Sequence, residues 1–297
     1  MSLRGVVTGG AGFLGSHVAD VLAEAGHDIT VVDLNLSAAH RSVVADLGDP
    51  AGLASSFRGA EFVCHLAAIG DVYLAGEKPP LAAKVNVVGT ANVCEAALSS
   101  GVPALLYAST WEVYGAPKYQ PLDEQHPTNP DHPYNITKLA GERIAISYGH
   151  LRQGLRVVAL RLGTAYGTRM RPNSVFSIFV QRAKRREPIT IQGTGDQVRQ
   201  FTHARDIGRA FLMALAGAKS GAIYNVVSDE SVTIRQLAEQ VVAAIPTRLE
   251  FAPPRQGDVA SARVSAARIE KDLGWRAQTR FRDGLAELIT SYRVTVA

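Results

Sequence analysis

Leu3-Arg-Gly-Val-Val-Thr8-Gly9-Gly10-Ala11-Gly12-Phe13-Leu14-Gly15 decides the fold. Leu3 to Thr8 is a short apolar strand, the glycine loop follows, and a helical pattern runs from Ser16 to Glu24. A second strand, Ile29 to Val32, ends at Asp33. Strand, glycine loop, helix, strand and terminal carboxylate together form the context that gives a glycine fingerprint its meaning as a dinucleotide site. Gly9 and Gly12 let the backbone turn tightly and approach a pyrophosphate, and Gly15 lets the helix pack on the strand. Phe13 and Leu14 lie at the helix start, where free N–H groups and positive partial charge meet the phosphates. Asp33 follows the loop at about the 20-residue interval from which a carboxylate holds the adenine-ribose hydroxyls. Its charge repels a 2′-phosphate, so NAD is favoured over NADP.

Working outward, Val43 to Ala45 reads as a third strand, with Asp46 and Leu47 as candidates for the adenine pocket. Glu61 to Leu66 is a fourth, and the small Ala67 and Ala68 after Leu66 let a cofactor pass close by. Pro80 to Leu98 reads as one long helix, on which Asn86 fixes neighbouring backbone. Ala104 to Ser109 is a fifth strand, running into Thr110-Trp111-Glu112-Val113-Tyr114-Gly115. The C-terminal ends of parallel strands carry the ligand crevice, so Thr110 is placed to hydrogen-bond a substrate hydroxyl. A Pro-rich loop from Pro117 to Pro133 borders that crevice, a helix bearing Tyr134 runs to about Leu151, and Arg156 to Leu162 is a sixth strand. The alternation predicts an α/β fold built on a Rossmann-type doubly wound parallel sheet.

After Gly167 the pattern predicts helices at Ser174 to Arg186, Arg205 to Ala216, Thr233 to Ala244, Ala266 to Leu273 and Phe281 to Tyr292. Strands are expected at Ile189 to Gln192 and Ile223 to Val227. The expected organisation is an NAD-binding domain over 1–167, with segments around 204–227 returning to it. Residues 168–297 would form most of a smaller, discontinuous substrate lobe.

The net charge of +4 over 297 residues is too small to point to nucleic acid but suits an anionic ligand. Basic residues crowd between Arg169 and Arg209, and the run Arg182, Lys184, Arg185, Arg186 reads as a solvated helix face. Cys64 and Cys94 sit in apolar settings, with no Cys-x-x-Cys and no metal-type His spacing. They read as inert thiols in a reducing compartment, and no metal is implied. No apolar stretch is long enough to span a bilayer and the N-terminus lacks a signal-peptide layout, so a cytoplasmic protein without a membrane partner is expected.

Tyr134 and Lys138 stand at i and i+4, one above the other on a helix face. A phenol titrates near ~10, so serving as a proton acceptor near neutrality requires a drop of roughly 3 units, about 4 kcal/mol. A fixed lysine charge and an oxidised nicotinamide ring both favour the phenolate. Alone, the pair also describes a solvated helix face; the glycine loop, Asp33 and the stretch from Ser109 to Gly115 turn it toward chemistry.

The segments Thr8 to Gly15, Asp33, Asn86-Val-Val-Gly-Thr90, Ser109-Thr110, Val113-Tyr114-Gly115, Tyr134 and Lys138 occur in this order. Together they resemble the extended short-chain dehydrogenase/reductases, in particular the NAD-dependent epimerase/dehydratase family acting on nucleotide sugars. Gly193 to Asp206 is similar to that family's nucleotide-diphosphate segment, and Pro254-Arg255-Gln-Gly-Asp258 with Leu273-Gly274-Trp275 is similar to its closing motif. The resemblance implies NAD as cofactor and a nucleotide diphosphate sugar as substrate. It implies that Tyr134 is the catalytic base and acid, that Lys138 holds the nicotinamide ribose and lowers the Tyr134 pKa, and that Thr110 assists at the sugar hydroxyl. Arg199 and Arg255 would grip the diphosphate, a role suited to guanidinium forks. Pairing of Pro80–Leu98 and the Tyr134 helix with their copies would form a homodimer.

Three positions bear on the reaction. Thr164 stands where the family usually carries an Asn that contacts the nucleotide. Trp111 stands where the sugar 4,6-dehydratases place an acidic Asp, and an indole cannot supply that proton. Glu112 matches the Glu of dehydratases and uronate decarboxylases. The implied first step is oxidation at the sugar C4, after which the 4-keto sugar can turn over, lose water, or lose carbon dioxide from a C6 carboxylate. Turnover, giving 4-epimerisation, is the preferred reading because it requires only Thr110, Tyr134, Lys138 and room to rotate. Decarboxylation is second and requires a cation near C6, with Arg171 a candidate. A net reductase and a non-enzymatic NAD-binding sensor are further alternatives.

Overall fold

The computed structural model describes residues 1–254 and 262–294. Among them, β1 (Arg4–Thr8), β2 (Asp28–Asp33), β3 (Arg41–Val44), β4 (Phe62–His65), β5 (Ala104–Thr110), β6 (Arg156–Leu162) and β7 (Ile223–Val226) form one sheet. Its order is β7-β6-β5-β4-β1-β2-β3, and each adjacent pair is parallel. Burial on both faces explains the near-continuous apolar character of β4 and β5, every residue of which is buried. The chain runs from β1 to β2 on one side and places β4 on the other, so the order reverses between β1 and β4. That reversal opens a crevice at the C-terminal strand ends.

Helix α1 (Phe13–Glu24) places Val18 and Leu22 in one core layer. Helix α2 (Pro50–Phe57) enters the opposite layer through Leu53 and Phe57. Its start is set by Asp49, whose side chain accepts from the Gly52 N–H at 3.1 Å, with Pro50 in the first turn. Helix α3 (Val72–Glu77) is followed by α4 (Pro79–Ala83), a π-turn over Lys84–Gly89, and α5 (Thr90–Ser99). The expected single helix from Pro80 to Leu98 is found as one continuous helical run over 79–99, widened in its middle by the π-turn. The Thr90 hydroxyl donates to the Asn86 carbonyl at 2.8 Å, and a side chain that bonds back to the preceding turn perturbs the helical ladder. Asn86 fixes backbone as expected: its side chain accepts from the Ile69 N–H (2.8 Å) and donates to the Ile69 carbonyl (3.2 Å).

Helix α6 (Pro133–Leu151) lies close against the π-turn at Gly141, where a Cβ would come within 2.5 Å of the Asn86 carbonyl oxygen and of the Tyr107 hydroxyl. Beyond β6 come α7 (Val175–Lys184), α8 (Ala204–Gly217), α9 (Ile234–Ala244), α10 (Ala267–Leu273) and α11 (Phe281–Val294). Helix α8 returns to the large sheet, burying Ile207 and Phe211 beside Val18 and Leu22 of α1. Short strand pairs, Thr164–Tyr166 with Phe201–His203 and Ile189–Gln192 with Leu249–Ala252, frame a third core. Tyr166 and Phe176 stack there with ring centroids 5.1 Å apart. Helix α9 opens with a reciprocal cap between Thr233 and Gln236.

Both cysteines are free and fully buried, and burial pushes Cys94 up to about 12. The basic run on α7 is more engaged than a solvated face: the Arg182 guanidinium donates to the Thr190 hydroxyl at 2.6 Å, and the Lys184 ammonium donates to the Tyr292 carbonyl. No helix among the described residues is long and apolar enough to cross a membrane.

Candidate active site

The glycine loop sits at the reversal point. Gly9 adopts φ +72°, and a Cβ there would lie 2.6 Å from the Ala67 backbone nitrogen. A Cβ on Gly15 would lie 2.1 Å from the Gly9 carbonyl oxygen, so the loop folds back on its own helix only because both positions are bare. Gly12 caps α1 without a side chain, which leaves the first-turn N–H groups, over Phe13, Leu14 and Gly15, for a ligand. The half-buried Leu66, Ala67 and Ala68 follow β4 beside the loop. The Leu66 N–H donates to the Thr8 carbonyl at 3.1 Å.

Asp33 ends β2 with its carboxylate accepting from the Ala11 N–H and the Asn35 N–H, both at 3.1 Å. Those bonds hold the carboxylate at the rim of the loop. Replacing it, Asp33→Ala, removes charge-assisted hydrogen bonds of about 1.5–3 kcal/mol, so NAD affinity should fall by about tenfold or more while NADP loses its disadvantage. Titration of both dinucleotides checks this, and an unchanged NAD to NADP ratio would remove Asp33 from the ribose site. Asp46 Oδ1 accepts from the Gly48 N–H at 2.7 Å in a turn. Leu47 is buried beside it, held by the Asn92 amide donating to its carbonyl at 2.7 Å.

Thr110, Glu112, Tyr134 and Lys138 come together above β5. Tyr134 lies in the first turn of α6, where the His132 ring accepts from its N–H at 3.2 Å. Burial pushes its phenol well above the ordinary value, and the Glu112 charge acts in the same direction. A hydrogen bond with Thr110 and the Arg171 charge oppose that rise. Glu112 is itself raised, chiefly by burial, and the Arg199 charge counters this. Lys138 is 4% exposed, with its Nζ 4.4 Å from the Tyr107 ring centroid. Burial brings its ammonium down to about 7 and the Glu142 charge raises it.

The Lys138 ammonium, one helical turn from Tyr134, lies over the Tyr107 ring, and the charges that act on the phenol include Glu112, which raises its pKa, and Arg171, which lowers it. Arg171 also pairs with Asp71 at 2.7 Å, and Asn173 donates to the same carboxylate at 3.1 Å. These contacts tie the segment after β4 to the segment after Thr164–Tyr166.

Trp111, Thr164, Val198, Arg199, Gln200 and Val264 line one small pocket. Thr164 and Arg199 therefore share one wall system with Trp111, the neighbour of Thr110. Arg255 lies outside the described residues.

Several functional candidates carry weak sequence signals. Glu142, one turn after Lys138, accepts from Ser109 at 2.6 Å and from Arg161 at 3.0 and 2.7 Å, with 0% exposure. An Arg inside the apolar run of β6 was its only trace. His65 is buried between Thr8 (2.7 Å) and Thr90 (3.1 Å), and burial lowers its pKa to about 3. Because Thr90 donates its proton to Asn86, its oxygen accepts from the His65 Nε2–H. Thr8 then donates to Nδ1. This neutral tautomer links the end of β1 to the first residue of α5.

The model of the NAD dependent epimerase/dehydratase family matches residues 6–227. The chain belongs to that family. It is 33% identical to the UDP-glucose 4-epimerase of Mycolicibacterium smegmatis, over 98% of this chain and 99% of the relative. The crystal structure of the Thermotoga maritima UDP-glucose 4-epimerase with UDP-glucose superposes with a TM-score of 0.92 at 29% identity, covering 99% of this chain and 100% of that one. MoeE5 in complex with UDP-glucose and NAD gives 0.91 at 31% identity, with 99% and 100% covered. The cofactor of the family is NAD. The residues present fit it: a glycine cradle that any Cβ would fill, an uncapped helix start, and a carboxylate at the loop rim.

Proposed function

We propose that the protein is an NAD-dependent nucleotide-sugar 4-epimerase acting through a transient 4-keto sugar. The observation that carries this reading is the meeting of Thr110 and Tyr134 at the C-terminal end of the sheet, with Lys138 one turn along the same helix face. Gly9, Gly12, Phe13, Leu14 and Gly15 would hold the pyrophosphate, Asp33 the adenine ribose, Asp46 and Leu47 the adenine, and Leu66 to Ala68 the passing cofactor. Lys138 would hold the nicotinamide ribose. NAD, when bound, supplies the hydride acceptor and donor for C4. Tyr134 Oη takes the C4 hydroxyl proton and returns it at the end, while the Thr110 hydroxyl orients that oxygen. Trp111 and Thr164 bound the space in which the ketone turns, and Arg199 engages the diphosphate.

An indole at position 111 offers no proton for loss of water, which weighs against dehydration. A second reading, decarboxylation of a uronate, is favoured by one observation: Arg171 lies close enough to the phenol for its charge to act there. Domain 1–167 with 204–227 would hold the cofactor and 168–297 most of the substrate. The exposed Leu81, Val88 and Ile136 on α4, the π-turn and α6 support a homodimer through those helices. The unpaired Cys64 and Cys94 support a cytoplasmic setting.

Incubation with uridine, thymidine, guanosine and cytidine diphosphate sugars, uronates included, tests the reading. The expected product has the mass of its substrate and the opposite configuration at C4. A product lighter by water or by carbon dioxide would overturn epimerisation.

A further inference from the structure

Beneath the site lies a charged group that contacts neither crevice nor solvent. Glu142 on α6 is fully buried, and its carboxylate is the meeting point of three elements. The Ser109 hydroxyl donates to Oε2 from the end of β5 at 2.6 Å. Arg161 of β6 donates to both oxygens, through Nε at 3.0 Å and through Nη2 at 2.7 Å. The Arg161 guanidinium in turn lies 4.8 Å from the Tyr114 ring centroid. Ser109 directly precedes Thr110, and Glu142 stands one helical turn beyond Lys138 on the same face.

A fold of this size does not require an ionised carboxylate between three elements for stability, because a well-packed apolar set of equal volume serves as well or better. Its position relative to the reacting groups supplies a reason. We propose that Glu142 is a positioning residue for the reaction, acting as the buried counter-charge of Lys138 and as the anchor of the Ser109–Thr110 strand end. This rests on the reading of Lys138 and Tyr134 given above.

The titratable groups around the Lys138 ammonium are Tyr134 and Glu142 on α6, Tyr107 on β5 and His65 on β4, with Arg161 of β6 paired to Glu142 behind them. His65 and Tyr107 are both held neutral by burial, His65 by a lowered pKa and Tyr107 by a raised one. Glu142 is thus the negative charge that opposes the effect of burial on Lys138, with its Arg161 partner offsetting part of it. Lys138 works as the ammonium, which is present below its pKa and lost as pH rises through it. Removing the Glu142 charge lowers that pKa, so function should fail at a lower pH.

The test compares the parent, Glu142→Gln, Glu142→Gln/Arg161→Gln and Ser109→Ala. The double variant removes the carboxylate together with its Arg161 partner, so that no lone guanidinium is left buried, and keeps the test open if Glu142→Gln alone does not fold. Two quantities are measured from pH 5.5 to about 9: NAD dissociation constant without substrate, and kcat/KM with the substrate found by the panel. The expected result is an alkaline limb displaced to lower pH, by about one unit in Glu142→Gln and by less in the double variant, which also loses the opposing Arg161 charge; in Glu142→Gln NAD affinity stays near the parent at the acid end and is up to about tenfold weaker at the alkaline end. Ser109→Ala should lower kcat uniformly without moving the limb. Equal losses at every pH in the Glu142 variants, or an unmoved limb, would reduce Glu142 to a structural role and overturn the proposal. The NAD measurement requires no turnover, so an incorrect assignment of sugar or reaction leaves it readable; absence of turnover in the parent alone would count against the reaction and not against Glu142.

Discussion

Tyr134→Phe should reduce turnover by about 10²–10⁴-fold, the usual contribution of a positioned acid–base group, while NAD remains bound and the fold unchanged. The ring stays, so the packing of the first turn of α6 is kept and only the oxygen is lost. The pH dependence carries further information. Burial and the Glu112 charge both raise the phenol, and the accepting form is the phenolate, so activity should rise with pH through the Tyr134 pKa. Neutralising Glu112 with Glu112→Gln removes one of the two raising influences. The acid limb of kcat should then move to lower pH. Retention of parental turnover by Tyr134→Phe would remove the phenol from the mechanism, and an unmoved acid limb in Glu112→Gln would separate the two residues.

The second large effect concerns stability. Arg161→Met leaves the Glu142 carboxylate buried with only the Ser109 hydroxyl as a side-chain donor. Removing one partner of a buried ion pair costs about 3–5 kcal/mol, a large part of the 5–15 kcal/mol typical of a folded protein. At this chain length that is a drop on the order of 10 °C in Tm. Arg161→Met/Glu142→Leu, which removes both charges, should recover most of the loss. Thermal melts of the single and double variants decide it. A single variant that melts within a degree or two of the parent would mean that the pair carries no such weight.

The cofactor half of the protein was legible because its requirements are local. A tight turn requires glycine at given spacings, and a parallel sheet buried on both faces requires unbroken apolar runs, so Leu3 to Gly15 and the buried strands through Leu162 could be read directly, whereas the exposed edge strand β3 showed only in its paired valines. The strand Ile189–Gln192 and the cap at Thr233 were equally local. What escaped was set by tertiary contact. The short strands Phe201–His203 and Leu249–Ala252 exist through partners far along the chain. The π-widening within the helix expected from Pro80 to Leu98 has no Pro or Gly at its start to announce it; it goes with the Thr90 hydroxyl and the Asn86 contacts with Ile69 and Thr137. The Glu142–Arg161 pair was hidden for the same reason, since 19 positions separate two charges that meet only once α6 has folded over β6.

The widened turn over Lys84–Gly89 also makes chain length itself a carrier of information. Each residue of an α-helix advances the side-chain direction by about 100°, so a one-residue deletion within that turn would restore a regular spiral and swing its downstream half by that angle relative to the upstream half. Asn86 could then no longer reach Ile69 and Thr137 while Thr90 reaches His65. Homologous chains that share every residue type here but differ by one in this interval would be expected to have rebuilt the floor of the crevice.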